Sequence, residues 1–454
     1  MPSGPSDDAT RRARRSTPHG GGIANSTRLA ALGAAIDEKS GVRHRSRAAK
    51  LGRVGWRRHK KLWISGLSVL VIIALIVGGG YAYTMWQLGK IKRINVSGEV
   101  HQVGNQPFNI LEIGSDSRAG LSGYLAAQTG ASSNAVAGQR SDVIKIMHVD
   151  PAKKTITVVS IPRDTVTTLL ANQNKYGKFN RINVNYGDGP SLLAQTITAN
   201  FGIPIAHTVV VSFLGVINAA DAIGGVWMNF PYPAKDAFSG LNITHAGCQL
   251  VTSDTSLAVV RSRHYEWFQH GIWNFDVTSD YGRIYRQNEF LKAMIGKAKS
   301  LYNPLTISSF ISKLAQGIAL DSNFSSGELA SLALKFHNLD PTSLQTYTLP
   351  TAPGSYGSLG SILFVQEPAM QNMLGQIFGA QLQKPTNPPP VNSYGATPSW
   401  GVPTATTATA TTTSTSTSSM PVVAGSSFLV NLAATSSILP EGDQYFDPAP
   451  CTPK

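Results

Sequence analysis

Between residues 261 and 287 the chain reads RSRHYEWFQHGIWNFDVTSDYGRIYRQ, with Arg261, Arg263, Arg283 and Arg286, no lysine, and only Glu266, Asp276 and Asp280 as acids. Such an excess of guanidinium over carboxylate, in a segment that is otherwise aromatic, points to an external anion. Arginine keeps its charge at any relevant pH, and its planar fork matches a phosphate with two hydrogen bonds at once. Asp280 is placed to cap a helix by accepting first-turn N–H groups. From there Arg283, Gln287, Phe290 and Met294 recur at helical spacing and share one face. Phe290 and Met294 belong in a core, so Arg283 and Gln287 continue that stripe inward. A guanidinium facing inward is costly unless it is paired. Taken alone, the segment suits a core ion pair with a nearby Asp as well as it suits a bound anion.

Three other segments add to it. Arg140 and Asp142 stand two apart at the head of the run SDVIKIMHV, and residues two apart on a strand share a face. Arg163 and Asp164 follow the run TITVVSI, where Pro162 stops the ladder. The turn DPAKKT joins the two runs into a hairpin, so the start of one lies beside the end of the other and Arg140, Asp142 and Arg163 become neighbours. Asp116 and Arg118 end a third run, FNILEIGSDSR, with Gly114 and Gly120 permitting a tight loop. Ligand crevices in open α/β sheets form at strand ends. Arginines gathered there suit a phosphate or diphosphate. Asp116 and Asp142 suit a divalent cation, Mg2+ or Mn2+, that bridges phosphate oxygens.

The elements that must position these groups are strands interleaved with helices. FNILEI, VIKIMHV, TITVVSI and HTVVVSF are rich in β-branched residues, and SLLAQTITANFG and YGRIYRQNEFLKAMIGKAKS have helical periodicity. The expectation is an α/β fold, an α/β/α layered sheet over residues 105–383, with helical pieces ISSFISKLAQGI and SGELASLALKFHNL packed on the same domain. Around it, residues 62–83 contain no charged side chain and are long enough to cross a bilayer. RRHKKLW at their start keeps that side cytoplasmic. We therefore read 1–61 as a disordered basic cytoplasmic tail, 62–84 as a single membrane span and 85–104 as a juxtamembrane connector. A Pro/Thr/Ser-rich linker at 384–425 and a tail at 426–454 complete the chain.

The chain's formal charge of +14 belongs largely to residues 1–61, which hold fifteen of the 39 Lys and Arg against four of the 25 Asp and Glu. The tail has no helix-turn-helix or zinc pattern, so anionic lipid and not nucleic acid is its expected partner. Cys248 and Cys451 both lie outside on this topology, where the compartment permits a bridge; two buried thiols are the alternative.

FNILEIGSDSR, RSDVIKIMHVDPAKKTITVVSIPRDT, RINVNYGDGPSLL, LAVVRSRH and SDYGRIYRQNEFLKA resemble, in order, the signature blocks of the LytR-CpsA-Psr family over residues 106–300. The likeness continues more weakly to about 380, and the chain resembles an actinobacterial member. The resemblance implies a phosphotransferase that moves a glycopolymer from a polyprenyl-diphosphate carrier to the muramic acid 6-hydroxyl of peptidoglycan, releasing polyprenyl phosphate. Arabinogalactan, teichoic acid and capsule all fit as the polymer. It implies magnesium on Asp116 and Asp142, and a diphosphate held by Arg118, Arg140, Arg163, Arg261, Arg263, Arg283 and Gln287. Asp142, Arg163 and Arg263 become the catalytic candidates, and Asp280 matches a motif position. Arg286 also fits the motif, and its orientation, toward the site or away from it, stays open. A Cys248–Cys451 disulfide also matches actinobacterial members. The stretch between Asp116 and Arg140 is long and Gly/Ala-rich for the family.

Such a reaction asks for electrostatic stabilisation of the transferred phosphoryl group and for one carboxylate, Asp142 or Asp164, to take the acceptor proton. The lipid asks for an apolar tunnel, with Val210, Leu214 and Ile217 as lining or ordinary core. A diphosphate hydrolase and a membrane-anchored transcriptional regulator are the competing readings.

Overall fold

The structure is a computed structural model that describes residues 78–102, 104–116, 141–299, 304–391 and 445–453. The basic tail, most of the expected membrane span and linker, and residues 117–140 with Arg118 and Arg140 lie outside the described residues. Residues 78–88 are helical, and among the described residues no helix is long and apolar enough to cross a membrane.

In chain order the strands that matter here are β1 (Lys92–Ile94), β2 (Phe108–Ser115), β3 (Ser141–Asp150), β4 (Thr155–Ser160), β5 (His207–Val211), β6 (Ala234–Asp236), β7 (Glu266–Gln269), β8 (Ile272–Phe275), β9 (Ile318–Asp321) and β10 (Gln345–Thr348). The helices are α1 (Pro190–Phe201), α2 (Phe213–Ala222), α3 (Ser253–Arg261), α4 (Asp280–Ala298), α5 (Pro304–Leu314), α6 (Ser326–Phe336) and α7 (Ala369–Phe378).

The central sheet runs β1-β9-β5-β2-β3-β4-β10 and is mixed. β2, β3 and β4 are antiparallel neighbours, while β2–β5, β4–β10 and β1–β9 are parallel pairs. Alternation along the strands divides its two faces. Leu111, Ile113, Ile144, Ile146, Val159 and Ile161 pack in one core against α1 and α7. The opposite face carries Glu112, Gly114, Val143 and Lys145, which look toward α2 and α4 across a cavity. Helices on both faces of a mixed sheet are the layered α/β fold that the sequence predicts. α1 has the expected ends, Pro190 in its first turn and Gly202 in the left-handed region (φ 70°) after its last residue.

A second core lies beyond the cavity. There α2, α3 and α4 cover a three-stranded sheet, Gly247–Val251, Val226–Phe230 and Ala449–Pro450, and a four-stranded sheet, Leu241–Ile243, β6, β7 and β8. The chain end, expected as a tail, supplies one of these strands. Phe446 stacks on Trp267 with centroids 4.0 Å apart, Tyr265 Oη donates to Phe446 O at 3.3 Å, and Cys451 N donates to Trp227 O at 3.1 Å. Cys248 and Cys451 form a disulfide, with Cα atoms 6.1 Å apart.

Three expectations change. Gly114 is in β2 and not in a loop: a Cβ there would stand 2.5 Å from the Val143 Cβ, so only glycine lets the two strands approach. Asp280 is the first residue of α4 and does not cap it; Ser279 occupies the cap position without a side-chain bond. The helical piece ISSFISKLAQGI stops at Leu314, and its last residue begins β9.

Candidate functional site

The site grows from an irregularity between β2 and β3. Gly114 pairs with Val143 and Ser115 with Ser141, which leaves Asp142 as the extra residue of a β-bulge. A bulge re-aims side chains. Here Asp142 and its neighbour Val143 both line the cavity, although regular alternation would send them to opposite faces. Asp116 follows Ser115 directly, so both expected metal-binding carboxylates come from the bulged end of the ladder.

Arg163, just past β4, donates to Asp142 Oδ1 and lies 3.6 Å from Asp164. Asp164 is divided between Arg163 and Arg181, whose Nε is 3.1 Å away. Asp164 is therefore a buttress for two arginines, and of the two aspartates it is Asp142 that lines the cavity. Desolvation opposes the Arg163 charge, but Asp142, Asp164 and Asp280 outweigh it and hold this guanidinium above its usual range.

The second group of arginines is set by α3 and α4. Asp236, fully buried, accepts from Ser262 Oγ (2.7 Å), Arg263 N (2.9 Å) and His264 N (3.0 Å), which fixes the turn leaving α3. Burial pushes its carboxyl pKa up, and these bonds more than offset that, so it is held low. Arg263 Nε lies 3.2 Å from Asp280 Oδ1, and Arg283 reaches the same oxygen at 2.8 Å. Arg283 also donates to Asp142 O at 2.7 Å. Its burial lowers its proton affinity, with Asp280 and Asp142 opposing that and Arg163 and Arg263 adding to it. Four guanidiniums, Arg163, Arg181, Arg263 and Arg283, thus share three carboxylates, and the most buried of them is under-compensated. Arg261 extends over the Phe213 ring, 5.0 Å from its centroid, at the cavity wall.

Gln287 donates to Val260 O at 2.9 Å, while its buried Oε1 has no hydrogen-bond partner among the described residues. Arg283, Gln287, Phe290 and Met294 all line one cavity of about 210 Å³, as their helical phase predicts. Its walls are largely apolar, and its lining also includes Asp142, Arg261 and Arg283. Of the residues weighed as tunnel lining or ordinary core, none lines it; their neighbours Val211, Phe213 and Val216 do. Val210 points to the opposite face of the sheet, into the core under α1, and Ile217 is buried outside the cavity lining.

Glu112 and Lys145, absent from the expected site, face each other across β2–β3 and line the same cavity. Lys145 Nζ donates to Asn288 Oδ1 and to Ser160 Oγ at 3.3 Å. Desolvation raises the Glu112 pKa and Lys145 partly opposes it. A charged residue in the middle of each of two apolar strands was the available signal. Arg286 behaves as a core group: fully buried, it donates to Asp276 Oδ2 (3.0 Å), Ser262 O (3.1 Å) and Asp447, and lies 4.5 Å over Tyr265.

Among the described residues no group of three or more His, Cys, Asp and Glu is arranged to hold a metal ion. Asp116 and Asp142, at the same end of the β2–β3 ladder, are the carboxylates that would meet a magnesium ion of the kind that completes its shell with phosphate oxygens and water.

The sequence model of the LytR_cpsA_psr family matches residues 83–378. The "Probable cell wall biosynthesis protein LcpB" of Corynebacterium glutamicum is 29% identical over 321 residues, which are 69% of this chain and 72% of that protein. The "Polyisoprenyl-teichoic acid--peptidoglycan teichoic acid transferase TagU" of Bacillus licheniformis is 24% identical over 256 residues, 54% of this chain and 73% of that one. Among solved structures, the "LytR-Csp2A-Psr enzyme from Actinomyces oris" superposes with a TM-score of 0.51 at 21% identity, covering 65% of this chain and 97% of that one. That likeness is one of fold.

Proposed function

From the premise that the chain belongs to the LytR_cpsA_psr family, we propose that it is a transferase that moves a glycopolymer from a polyprenyl-diphosphate carrier onto peptidoglycan. The names of its relatives, a cell wall biosynthesis protein and a teichoic acid transferase acting on peptidoglycan, support this reading. The single observation that carries it is the junction of an apolar cavity with a cluster of guanidiniums that outnumber their carboxylates. A lipid diphosphate has that division of chemistry: a hydrocarbon chain for the cavity and two phosphates for its rim.

In this reading Arg163, Arg263 and Arg283 hold the diphosphate and stabilise the charge that grows on the transferred phosphoryl oxygens and on the leaving polyprenyl phosphate. The muramic acid 6-hydroxyl attacks the phosphorus bonded to the sugar, a new P–O bond forms, and the bridging P–O bond to the lipid phosphate breaks. Asp142 takes the hydroxyl proton, because Asp164 is engaged by two arginines. Asp116 and Asp142 would hold Mg2+ or Mn2+, which supplies Lewis-acid neutralisation of phosphate oxygens. Gln287 Oε1 and Arg261 stand where they can orient the diphosphate. Residues 62–84 anchor the chain, and membrane lipids beside the domain raise the local concentration of the carrier. The Cys248–Cys451 bridge suits an oxidising, extracytoplasmic compartment.

The test is polymer transfer from a defined lipid-diphosphate glycan to peptidoglycan oligomers. Asp142→Ala and Arg263→Ala should each lower the rate by about a hundredfold or more. Transfer at the wild-type rate in both variants refutes the site. Release of free polymer phosphate without acceptor coupling favours hydrolysis instead.

A further inference from the structure

One surface next to the site has no role in holding the lipid diphosphate. β7 and β8 form a hairpin closed by His270 and Gly271, both at positive φ (54° and 83°), as a two-residue turn requires. Its two stems begin at the cradle: Arg263 precedes β7, Asp280 follows β8, and the two side chains form the 3.2 Å ion pair described above. Asp276 N donates to Tyr265 O at 2.9 Å and closes the base. Beneath it, Trp267 is pinned on Phe446.

Alternation puts Glu266, Phe268, Trp273 and Phe275 on the opposite, outer face. Phe268, Trp273 and Phe275 are 39%, 44% and 51% exposed. Phe268 and Trp273 are cross-strand partners with centroids 5.4 Å apart. Lys235 on β6 pairs with Glu266 at 3.2 Å and holds its ammonium 4.0 Å over the Trp273 ring. The face is thus a row of rings bordered by a neutralised charge pair, on a base that cannot shift easily.

We infer that this outer face binds the glycan backbone of the acceptor, an assignment that rests on the proposed transfer reaction. The donor is already held by its lipid and its phosphates. The acceptor brings neither to the cavity, yet its hydroxyl must reach the phosphorus, so it needs a surface that starts at the cradle. Sugar rings present apolar C–H faces that stack on aromatic rings, and hydroxyl rims that bond to groups such as Lys235 and Glu266. An anionic lipid surface would find no net positive charge in the Lys235–Glu266 pair, and inserting that pair into a bilayer carries a desolvation cost. Contiguous exposed rings bordered by polar groups mark an interaction surface.

The test uses the full chain in detergent and lipid-free glycan strands prepared from peptidoglycan. Binding should weaken at least about tenfold in Trp273→Ala and in Phe275→Ala, and Trp273→Tyr should recover most of it. In the transfer assay the same variants should raise the acceptor KM with kcat kept. Leu334→Ala, an exposed change on α6, should leave both unchanged. Wild-type glycan affinity in Trp273→Ala and Phe275→Ala overturns the inference, as does a deficit confined to phosphatidylglycerol vesicles or to lipid-free donor polymer. Glycan binding that depends on Trp273 in a chain that transfers nothing would instead refute the reaction and leave the surface standing.

Discussion

Removing the Cys248–Cys451 bridge, by Cys248→Ser with Cys451→Ser, should release the chain end from the second core. The bridge closes a loop spanning 203 residues, and the chain-entropy relation gives about 5 kcal/mol as a ceiling for its stabilisation. The contacts around it reduce that figure, because they hold the end in place without the covalent bond. Phe446 is buried on Trp267, and Asp447 is an ion-pair partner of Arg286. A loss of about 3–4 kcal/mol is therefore expected from urea unfolding of the detergent-solubilised chain. The structural reasoning is tested more sharply by adding Phe446→Ala. In the bridged protein that change should cost about 3 kcal/mol. Without the bridge the end is partly undocked, and the same change should cost distinctly less, a non-additivity of about 1 kcal/mol or more. Equal costs in both backgrounds, or a bridge worth under about 1 kcal/mol, would show that the end docks independently of the disulfide.

Two further outcomes follow from other parts of the molecule. Val216→Trp fills the cavity and should raise the donor KM about tenfold in steady-state transfer while leaving binding of a soluble inorganic diphosphate unchanged. Glu99 is pushed up to about 7 by burial, with Asp321 adding to the rise, while bonds from Thr208 and Asn323 and the charge of His207 oppose it. The folded chain then keeps a proton that the unfolded chain releases above about pH 4.5, so stability declines as pH rises from there toward 7. Glu99→Gln should flatten that slope in a series of melting temperatures against pH.

The central strands were legible from their β-branched residues, and the inward stripe of α4 from the helical spacing of Arg283 to Met294, both of which are local signals. The neighbourhood of Asp142 and Arg163 followed from a hairpin, also local. The bulge did not, because an extra residue is a property of two strands in register and leaves no mark on either. Val210, Leu214 and Ile217 stand between tunnel lining and ordinary core in the sequence, because a strand and the helix after it do not reveal which face the cavity occupies; Val210 and Ile217 are core, and Val211, Phe213 and Val216 line the cavity. The aromatic hairpin and the two small sheets escaped because their strands are two to five residues long. Asp447 is reached from Arg286 only through the fold, 161 residues along the chain.

The central claim is that Arg163, Arg263 and Arg283 form a diphosphate cradle at the mouth of an apolar cavity. Calorimetric titration of the full chain with a short prenyl diphosphate, with and without Mg2+, tests it most directly. The account predicts binding that Mg2+ strengthens, that the matching prenyl alcohol does not reproduce, and that Arg283→Lys weakens about tenfold, since lysine lacks the planar fork. Equal affinity for the alcohol, or unchanged diphosphate affinity in Arg283→Lys and Arg263→Ala, would contradict it.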